Sequence, residues 1–272
     1  MITYCGQETH YSSFNTILQI MADVIDLGKM LFYQSIDLPK HGLMKGCWDH
    51  RPSMDVYLGG TNFKNTTALD VGPASGFWSF EMERRGATVT ALELGPNDHW
   101  DAVPHQGKPT TELGKQLALN VERTKNAFIF SRESLKSKVN LVYGTVYNVD
   151  KVIPEIDIAL MGNVLQHFRD PFLAIETVSK VVTKRIIISE TLWMGDQQFL
   201  AQAALRLIPR AEYPEVNHSW WQASPPLIGE ILKILGYVNL KCEYHEQLFI
   251  HSATDNAERQ VKHFTYSADK PN

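Results

Sequence analysis

The chain has 272 residues, and 26 Lys and Arg against 30 Asp and Glu give a formal net charge of −4. Hydrophobic residues make up 44% and charged residues 21%, a balance that excludes disordered and fibrous proteins. The negative charge argues against a broad nucleic-acid interface, which needs clustered Lys and Arg.

Cysteine usage and the apolar runs indicate the compartment. Cys5, Cys47 and Cys242 are odd in number and widely spaced, so they predict neither a disulfide framework nor a zinc knuckle. The start, MITYCGQETHYSSF, lacks the basic residues and apolar run of a signal peptide. No run approaches the roughly 18 apolar residues of a membrane span. We therefore expect a cytoplasmic protein with no membrane partner.

Residues 1–62 are predicted to form a helical N-terminal cap. Apolar residues recur at helical spacing in YSSFNTILQIMADVIDLGKMLFYQ. Glycines and prolines then break the chain as far as the Gly59-Gly60 pair, which predicts turns.

Residues 63–272 are predicted to form one α/β domain. Helical stretches separate short β-branched runs at 66–72, 87–94, 138–144, 156–162 and 184–190. Strands alternating with helices indicate βαβ units, and hence a doubly wound, mostly parallel sheet. An aromatic-rich segment at about 191–222 interrupts the alternation before a last helix and two strands. We interpret that segment as an inserted lid.

The segment LDVGPASGF (69–77) is the strongest local signal, because it is a strand that turns tightly into a helix. Ligands of open α/β sheets bind at such turns, and both dinucleotides and S-adenosylmethionine use them. A dinucleotide site needs G-x-G-x-x-G, whereas positions 72, 74 and 77 are Gly, Ala and Phe. Pro73 also removes one N–H from the turn. The spacing therefore disfavours NAD, and a turn without any ligand stays an alternative.

Glu93 ends the second predicted strand, ALEL, 23 residues after Asp70. An acidic side chain at this strand end is placed to accept both ribose hydroxyl protons of an adenosine. The alternative is an ordinary solvated strand end. Together with the glycine-rich turn, Glu93 favours an adenosyl ligand.

With these motifs, residues 66–265 resemble the class I S-adenosylmethionine-dependent methyltransferases. LDVGPASG is similar to their glycine-rich motif, ALEL to the acidic one, and MGNVLQHFRDP (161–171) to a block after the fourth strand. DLPKHG, GCWDHR and NHSWWQASPPLIGEILKILGY resemble a subgroup related to the tRNA wobble-uridine carboxymethyltransferase. The resemblance implies a Rossmann-like methyltransferase fold and S-adenosylmethionine as the cofactor.

The resemblance also implies which residues bind that cofactor. The methionine part would lie against the glycine-rich turn and the end of the fourth strand, the ribose against Glu93, and the adenine between two residues after the third strand. The residues at the turn are Asp70, Gly72, Pro73, Ala74 and Gly76, those beside the adenine are Val146 and Tyr147, and those at the fourth strand are Met161, Gly162 and Asn163.

Three residues are candidates for catalysis. His167 is a candidate general base, or alternatively it orients the loop before the next helix. The guanidinium of Arg51 could hold a carboxylate of the cofactor or substrate, whereas the alternative is a solvated turn before Pro52. Glu190, at the end of the fifth strand, is a candidate substrate contact.

The predicted lid supplies candidate substrate contacts: Trp193, Tyr213, Asn217, Trp220 and Trp221. The alternative for these aromatics is a contact in a homodimer. The scattered histidines have no metal spacing, so we expect no metal. We predict methyl transfer to a small-molecule acceptor, with oxygen as the acceptor atom. The alternatives are methylation or carboxymethylation of a tRNA base, and a non-catalytic S-adenosylmethionine-binding protein.

Overall fold

The computed structural model describes residues 27–104, 111–192, 197–212, 218–250 and 258–271. The helices of these ranges are α1 Met54–Tyr57, α2 Phe77–Arg84, α3 Thr111–Leu135, α4 Val149–Val152, α5 Pro171–Val181, α6 Gln197–Ala201 and α7 Pro225–Ile234. The strands are β1 Ile36–Leu38, β2 Gly42–Met44, β3 Trp48–Asp49, β4 Thr67–Val71, β5 Thr88–Glu93, β6 Asn140–Tyr143, β7 Ile156–Gly162, β8 Val182–Thr191, β9 Leu205–Leu207, β10 Trp221–Ala223, β11 Val238–Ile250 and β12 Glu258–Asp269.

Eight strands form one sheet in the order β3-β11-β12-β8-β7-β4-β5-β6. The five strands from β8 to β6 in this order are parallel, as right-handed βαβ crossovers require. β12 lies antiparallel to β8 and to β11. The predicted doubly wound, mostly parallel sheet is therefore confirmed, and its central strands match the predicted runs to within two residues at each end.

Both faces of the sheet are covered, and each face has its own apolar core. Leu160 and Met161 are successive residues of β7, both fully buried, and they belong to different cores because side chains alternate along a strand. α2 and α3 pack on the face of Leu160, and α4, α5 and α7 pack on the face of Met161. Within the described residues, no helix has both the length and the apolar character needed to cross a membrane.

The part of the predicted cap that the structure describes, residues 27–62, differs from a long helix. It contains the β1–β2 hairpin, the edge strand β3 and the four-residue helix α1. Gln34, at the end of the predicted helical run, forms an isolated bridge with Trp48. Tertiary pairing to β3 therefore determines the conformation around Gln34, and residues 1–26 lie outside the described ranges.

The β11–β12 hairpin extends past the sheet. β12 pairs with β8 only from His263, opposite Thr191, onward. Its first residues, Glu258 to Lys262, continue beyond the end of β8 and pair only with β11 in the sheet. We call this overhanging part, residues 246–250 and 258–262, the hairpin arm. The arm lies beside the carboxyl ends of the parallel strands, where α/β sheets bind ligands.

Candidate functional site

A cavity of about 1030 Å³ lies at the carboxyl ends of β4, β5, β6 and β7. Several predicted cofactor residues line it together: Gly72, Ala74, Glu93, Val146, Tyr147, Gly162 and Asn163. His167 also lines this cavity. Residues far apart in the sequence therefore meet in one space, which is large enough for two ligands of ordinary metabolite size.

The glycine-rich turn forms the floor of the cavity. Gly72 has a φ of 71°, and a Cβ there would lie 3.0 Å from Cγ1 of Val164. Gly76 has a φ of 92°, and its Cβ would lie 2.4 Å from the Phe80 ring. The first glycine therefore keeps the backbone open beside the cavity, whereas the second permits packing of the helix. Neither Pro73 nor Gly76 is among the residues that line the cavity.

Asp70 is buried beneath this turn and does not line the cavity. Its carboxylate accepts a hydrogen bond of 2.6 Å from the Ser79 hydroxyl, which ties β4 to the first turns of α2. Burial raises the pKa of Asp70 to about 6. The Asp70 carboxylate therefore contacts helix α2 and does not reach the cavity.

Glu93 ends β5 and lines the cavity. Its Oε1 accepts a hydrogen bond of 2.8 Å from the Leu94 N–H, and the backbone of Ala74 also supports the charge. Burial nevertheless raises the pKa of Glu93 to about 7. A carboxylate has about four acceptor positions, so Glu93 retains capacity for two further donors.

The segment after β6 forms a short 3-10 turn, Val146–Asn148, along one wall. Oδ1 of Asn148 accepts from the Thr145 N–H at 2.9 Å, which fixes where the turn begins. The hydroxyl of Tyr147 donates to Asp101 at 2.6 Å, so its ring is held against the cavity. Val146 and Tyr147 are therefore placed by one hydrogen bond within the turn and one to Asp101, 46 residues away.

β7 ends at Gly162, and the chain then turns through Asn163, which has a φ of 58°. Asparagine adopts this left-handed conformation more readily than other non-glycine residues. The Asn163 N–H donates to the Ser189 carbonyl at 2.6 Å, and its Oδ1 accepts from the Thr191 N–H at 3.3 Å. Met161 is fully buried in the core and does not line the cavity.

His167 lies at the end of the 3-10 turn Leu165–His167, with one edge in the cavity. Its Nδ1 is 2.6 Å from the carbonyl oxygen of His218. Its ring packs edge-on against the Trp100 ring, with 4.8 Å between the two ring centroids. Because a carbonyl only accepts, Nδ1 carries the proton and Nε2 carries the lone pair. Burial lowers the pKa of His167 to about 3, so the ring is neutral at pH 7.

The described part of the lid is fastened by tryptophans. The Trp220 indole donates to the Asp101 carbonyl at 2.5 Å, and the Trp221 indole donates to the Arg169 carbonyl at 3.0 Å. Neither tryptophan is among the cavity-lining residues, whereas His218 and Ser219 are. The other predicted substrate residues, Trp193, Tyr213 and Asn217, lie outside the described residues.

Arg51 contacts carboxylates of its own segment. Its Nε and one terminal nitrogen donate to Asp49 at 2.8 and 2.7 Å, and the other terminal nitrogen donates to Asp37 at 2.7 Å. This arrangement links β1 to β3, and Arg51 is not among the cavity-lining residues. The Asp49 pKa is lowered chiefly by its hydrogen bonds to this guanidinium.

Glu190 is buried in β8 and is not among the cavity-lining residues. Its Oε1 accepts from the Leu165 N–H at 2.8 Å, which fixes the 3-10 turn that carries His167. Burial raises the pKa of Glu190 to about 8, well above its value of 4.5 in an unfolded chain. Glu190 therefore supports the turn that carries His167 without lining the cavity itself.

We expect Glu190→Gln to flatten the pH dependence of stability. The folded state binds the Glu190 proton more tightly, so wild-type stability falls as pH rises from about 4.5 to about 8. The fall in the free energy of unfolding between pH 5 and pH 8 should be about 1–3 kcal/mol smaller in the variant than in the wild type. Urea denaturation at both pH values measures it. The exposed Glu155→Gln is the control, and equal slopes in all three proteins would contradict the prediction.

The N-terminal segment closes the cavity and is attached to the glycine-rich turn through Ser75. The buried Ser75 hydroxyl accepts from the N–H groups of Tyr33 and Gln34 at 3.1 and 3.2 Å, and donates to Oε1 of Gln34 at 2.7 Å. Tyr33 and Gln34 both line the cavity. One serine therefore couples the segment to the site.

Ser75→Ala should destabilise the fold by about 1–3 kcal/mol, because it removes the hydroxyl that accepts from one buried and one partly buried backbone N–H group. Urea unfolding followed by fluorescence measures the change. Ser53→Ala is the matched control, since that hydroxyl makes one longer hydrogen bond of 3.2 Å at the surface. A loss no larger than that of the control would show that water replaces the Ser75 contacts.

Several cavity-lining residues belong to none of the motifs found in the sequence, among them Trp100, Phe249 and Arg259. They come from the loop after β5 and from the hairpin arm. Their spacing in the sequence follows no pattern, so only the fold brings them to the site. Among the described residues, no group of three or more His, Cys, Asp or Glu side chains is arranged to hold a metal ion.

Comparison with solved structures identifies the fold. The N-terminal domain of EvdMO1 with S-adenosylhomocysteine (SAH) bound has a TM-score of 0.57 and 14% identity over 90% of this chain and 93% of that chain. The same domain, in the presence of SAH and D-fucose, has a TM-score of 0.56 with the same identity and coverage. The YcgJ protein from Bacillus subtilis has a TM-score of 0.52 and 11% identity over 82% of this chain and 99% of that chain.

At these identities the similarity shows the fold. The chain has the Rossmann-like methyltransferase fold, so the predicted fold class is confirmed. No protein-family model matches the chain, and no curated protein matches its sequence.

Proposed function

We propose that this protein is an S-adenosylmethionine-dependent methyltransferase that transfers a methyl group to an oxygen of a small-molecule acceptor. One observation supports the proposal most: a single cavity joins the glycine-rich turn, Glu93 and Asn163 at the carboxyl ends of parallel strands. The similarity to EvdMO1 with SAH bound agrees with this cofactor. The EvdMO1 structure in the presence of D-fucose favours a small acceptor with hydroxyl groups.

The residues present fit this cofactor. The spare acceptor positions of the Glu93 carboxylate suit the two hydroxyls of a ribose. Val146 and Tyr147 offer an apolar and an aromatic surface to an adenine, and backbone at Gly72 and Ala74 lies open beside them. When bound, the cofactor supplies an electrophilic methyl group on a sulfonium.

The chain's own part in the reaction is to hold the acceptor. His167 presents the Nε2 lone pair, because its Nδ1 proton is used on the His218 carbonyl. A neutral imidazole in this state accepts a hydrogen bond from a hydroxyl and so orients the oxygen. Positioning of this kind supplies a large part of the rate in a bimolecular transfer. The low basicity of the ring means that orientation contributes more than proton removal.

The cofactor assignment is tested by calorimetry with S-adenosylmethionine, SAH and NAD. We expect the first two to bind and NAD not to bind. Absence of S-adenosylmethionine binding, or binding of NAD in its place, would overturn the assignment.

The acceptor class is tested with tRNA and with a labelled methyl donor. A tRNA-base enzyme should bind tRNA with a steep dependence on salt, whereas we expect no such binding at low salt. Label should instead pass to a small molecule when extracts of the source organism are supplied. Cofactor binding without any transfer would favour a non-catalytic S-adenosylmethionine-binding protein.

A further inference from the structure

The cavity continues past the predicted cofactor residues to a second wall, formed by β3 and the hairpin arm. Trp48 of β3 and Phe249 of β11 pack against each other, with ring centroids 4.7 Å apart and planes inclined by 56°. Both rings line the cavity, as do Val261 and Arg259 of β12. Trp48 itself is 1% exposed, so Phe249 supplies the accessible aromatic surface of this wall, with the guanidinium of Arg259 beside it.

The strand register separates the charges of the arm. Phe249 lies opposite Arg259, and Gln247 lies opposite Val261, so these four residues share one face. Glu246 pairs with Lys262 and Ile250 with Glu258, which places both acids on the other face. Residues from both faces of the arm line the cavity, and these lining residues include the cations Arg259 and Lys262 but neither of the two acids.

The nearest carboxylate on β3 is already neutralised. Asp49 follows Trp48 and receives two hydrogen bonds from Arg51, at 2.8 and 2.7 Å. The Arg259 side chain is exposed, and within the described ranges it forms no ion pair. A guanidinium free of protein partners at the edge of a ligand cavity suits a carboxylate or phosphate, which it can bind through two parallel hydrogen bonds.

We propose that the acceptor is an anion, in which a carboxylate or phosphate bound by Arg259 is joined to a flat, apolar body lying against Phe249. The inference rests on the proposed function, since it names the class of molecule that would be methylated. His167 lines the same cavity, so one acceptor could reach both groups.

The test is a titration of the SAH-loaded protein with matched probes, followed by tryptophan fluorescence. The probes are 4-hydroxybenzoate and phenyl phosphate, with 4-hydroxybenzamide as the neutral counterpart. In the wild type, at least one anion should bind about tenfold more tightly than the amide, and 0.5 M NaCl should weaken that preference. Arg259→Gln should abolish the preference, and Arg259→Lys should restore part of it. Lys64→Gln, an exposed cation on the α2 side of the sheet, should leave it unchanged.

Two results would overturn the inference: no preference for either anion in the wild type, or the same preference in Arg259→Gln. The same preparations are titrated with S-adenosylmethionine. If that cofactor binds while the anions show no preference, only the acceptor class is wrong. If the cofactor does not bind, the proposed function itself fails.

Discussion

His167→Ala is expected to lower kcat by about 10²-fold, the order of loss that follows when a group that orients a reactant is removed. His167 is the imidazole in the cavity whose tautomer is fixed by a hydrogen bond, 2.6 Å from Nδ1 to the His218 carbonyl. Alanine removes the Nε2 acceptor and leaves the acceptor hydroxyl free to rotate. The affinity for S-adenosylmethionine should change little, because His167 is not one of the predicted cofactor residues.

The measurement is the rate of SAH formation with an acceptor-containing metabolite fraction, with cofactor affinity from calorimetry. Because burial lowers the pKa of His167 to about 3, the ring stays neutral from pH 5 to pH 8, and its titration adds no acidic limb to the rate profile. The exposed His41→Ala is the control. A rate loss below about tenfold, together with lower stability, would show that His167 only fastens the lid.

Glu93→Ala should weaken S-adenosylmethionine binding by about 1–3 kcal/mol, the usual cost of leaving buried hydrogen-bonding groups without partners. This corresponds to a roughly 5–150-fold higher Kd. Unchanged affinity would show that Glu93 is only a strand end. The exposed Glu133→Gln on α3 serves as the matched control.

The affinity should also depend on pH through Glu93. Its pKa of about 7 means that the carboxyl is mostly protonated at pH 6 and mostly ionised at pH 8. In the binding mode that we propose, the ionised form accepts from both ribose hydroxyls, so we expect the affinity to rise with pH across this window, by up to about tenfold. Glu93→Gln should bind more weakly and show a flat profile, which calorimetry at three pH values would reveal.

The sheet could be predicted because its signals are local. β7 was expected at 156–162 and spans Ile156–Gly162, since an uninterrupted apolar run suits a strand buried on both faces. α3, Thr111–Leu135, lies in one of the helical stretches predicted between these runs. The glycine-rich turn and Glu93 were found together because consecutive parallel strands end at the same edge.

The second half of the cavity could not be predicted, because it depends on long-range pairing. Trp48 and Phe249 are brought together when β3 adds to the edge of β11, and no spacing in the chain encodes that pairing. Arg51 is a candidate to hold a carboxylate of a ligand, and its contacts with Asp49 and Asp37 follow from the path of β1 and β3, which the sequence does not indicate. Side chains on irregular segments have partners that only the tertiary structure decides.

The overhang of the β11–β12 hairpin separates substitutions that alter the cavity wall from substitutions that alter the interior of the protein. The first residues of β12 extend beyond β8 and belong to neither apolar core, so a substitution at Arg259 leaves the interior of the protein intact. Exchange of this arm between related proteins should therefore transfer selectivity for the acceptor while the donor site is kept. For protein engineering, it is the segment in which to place diversity.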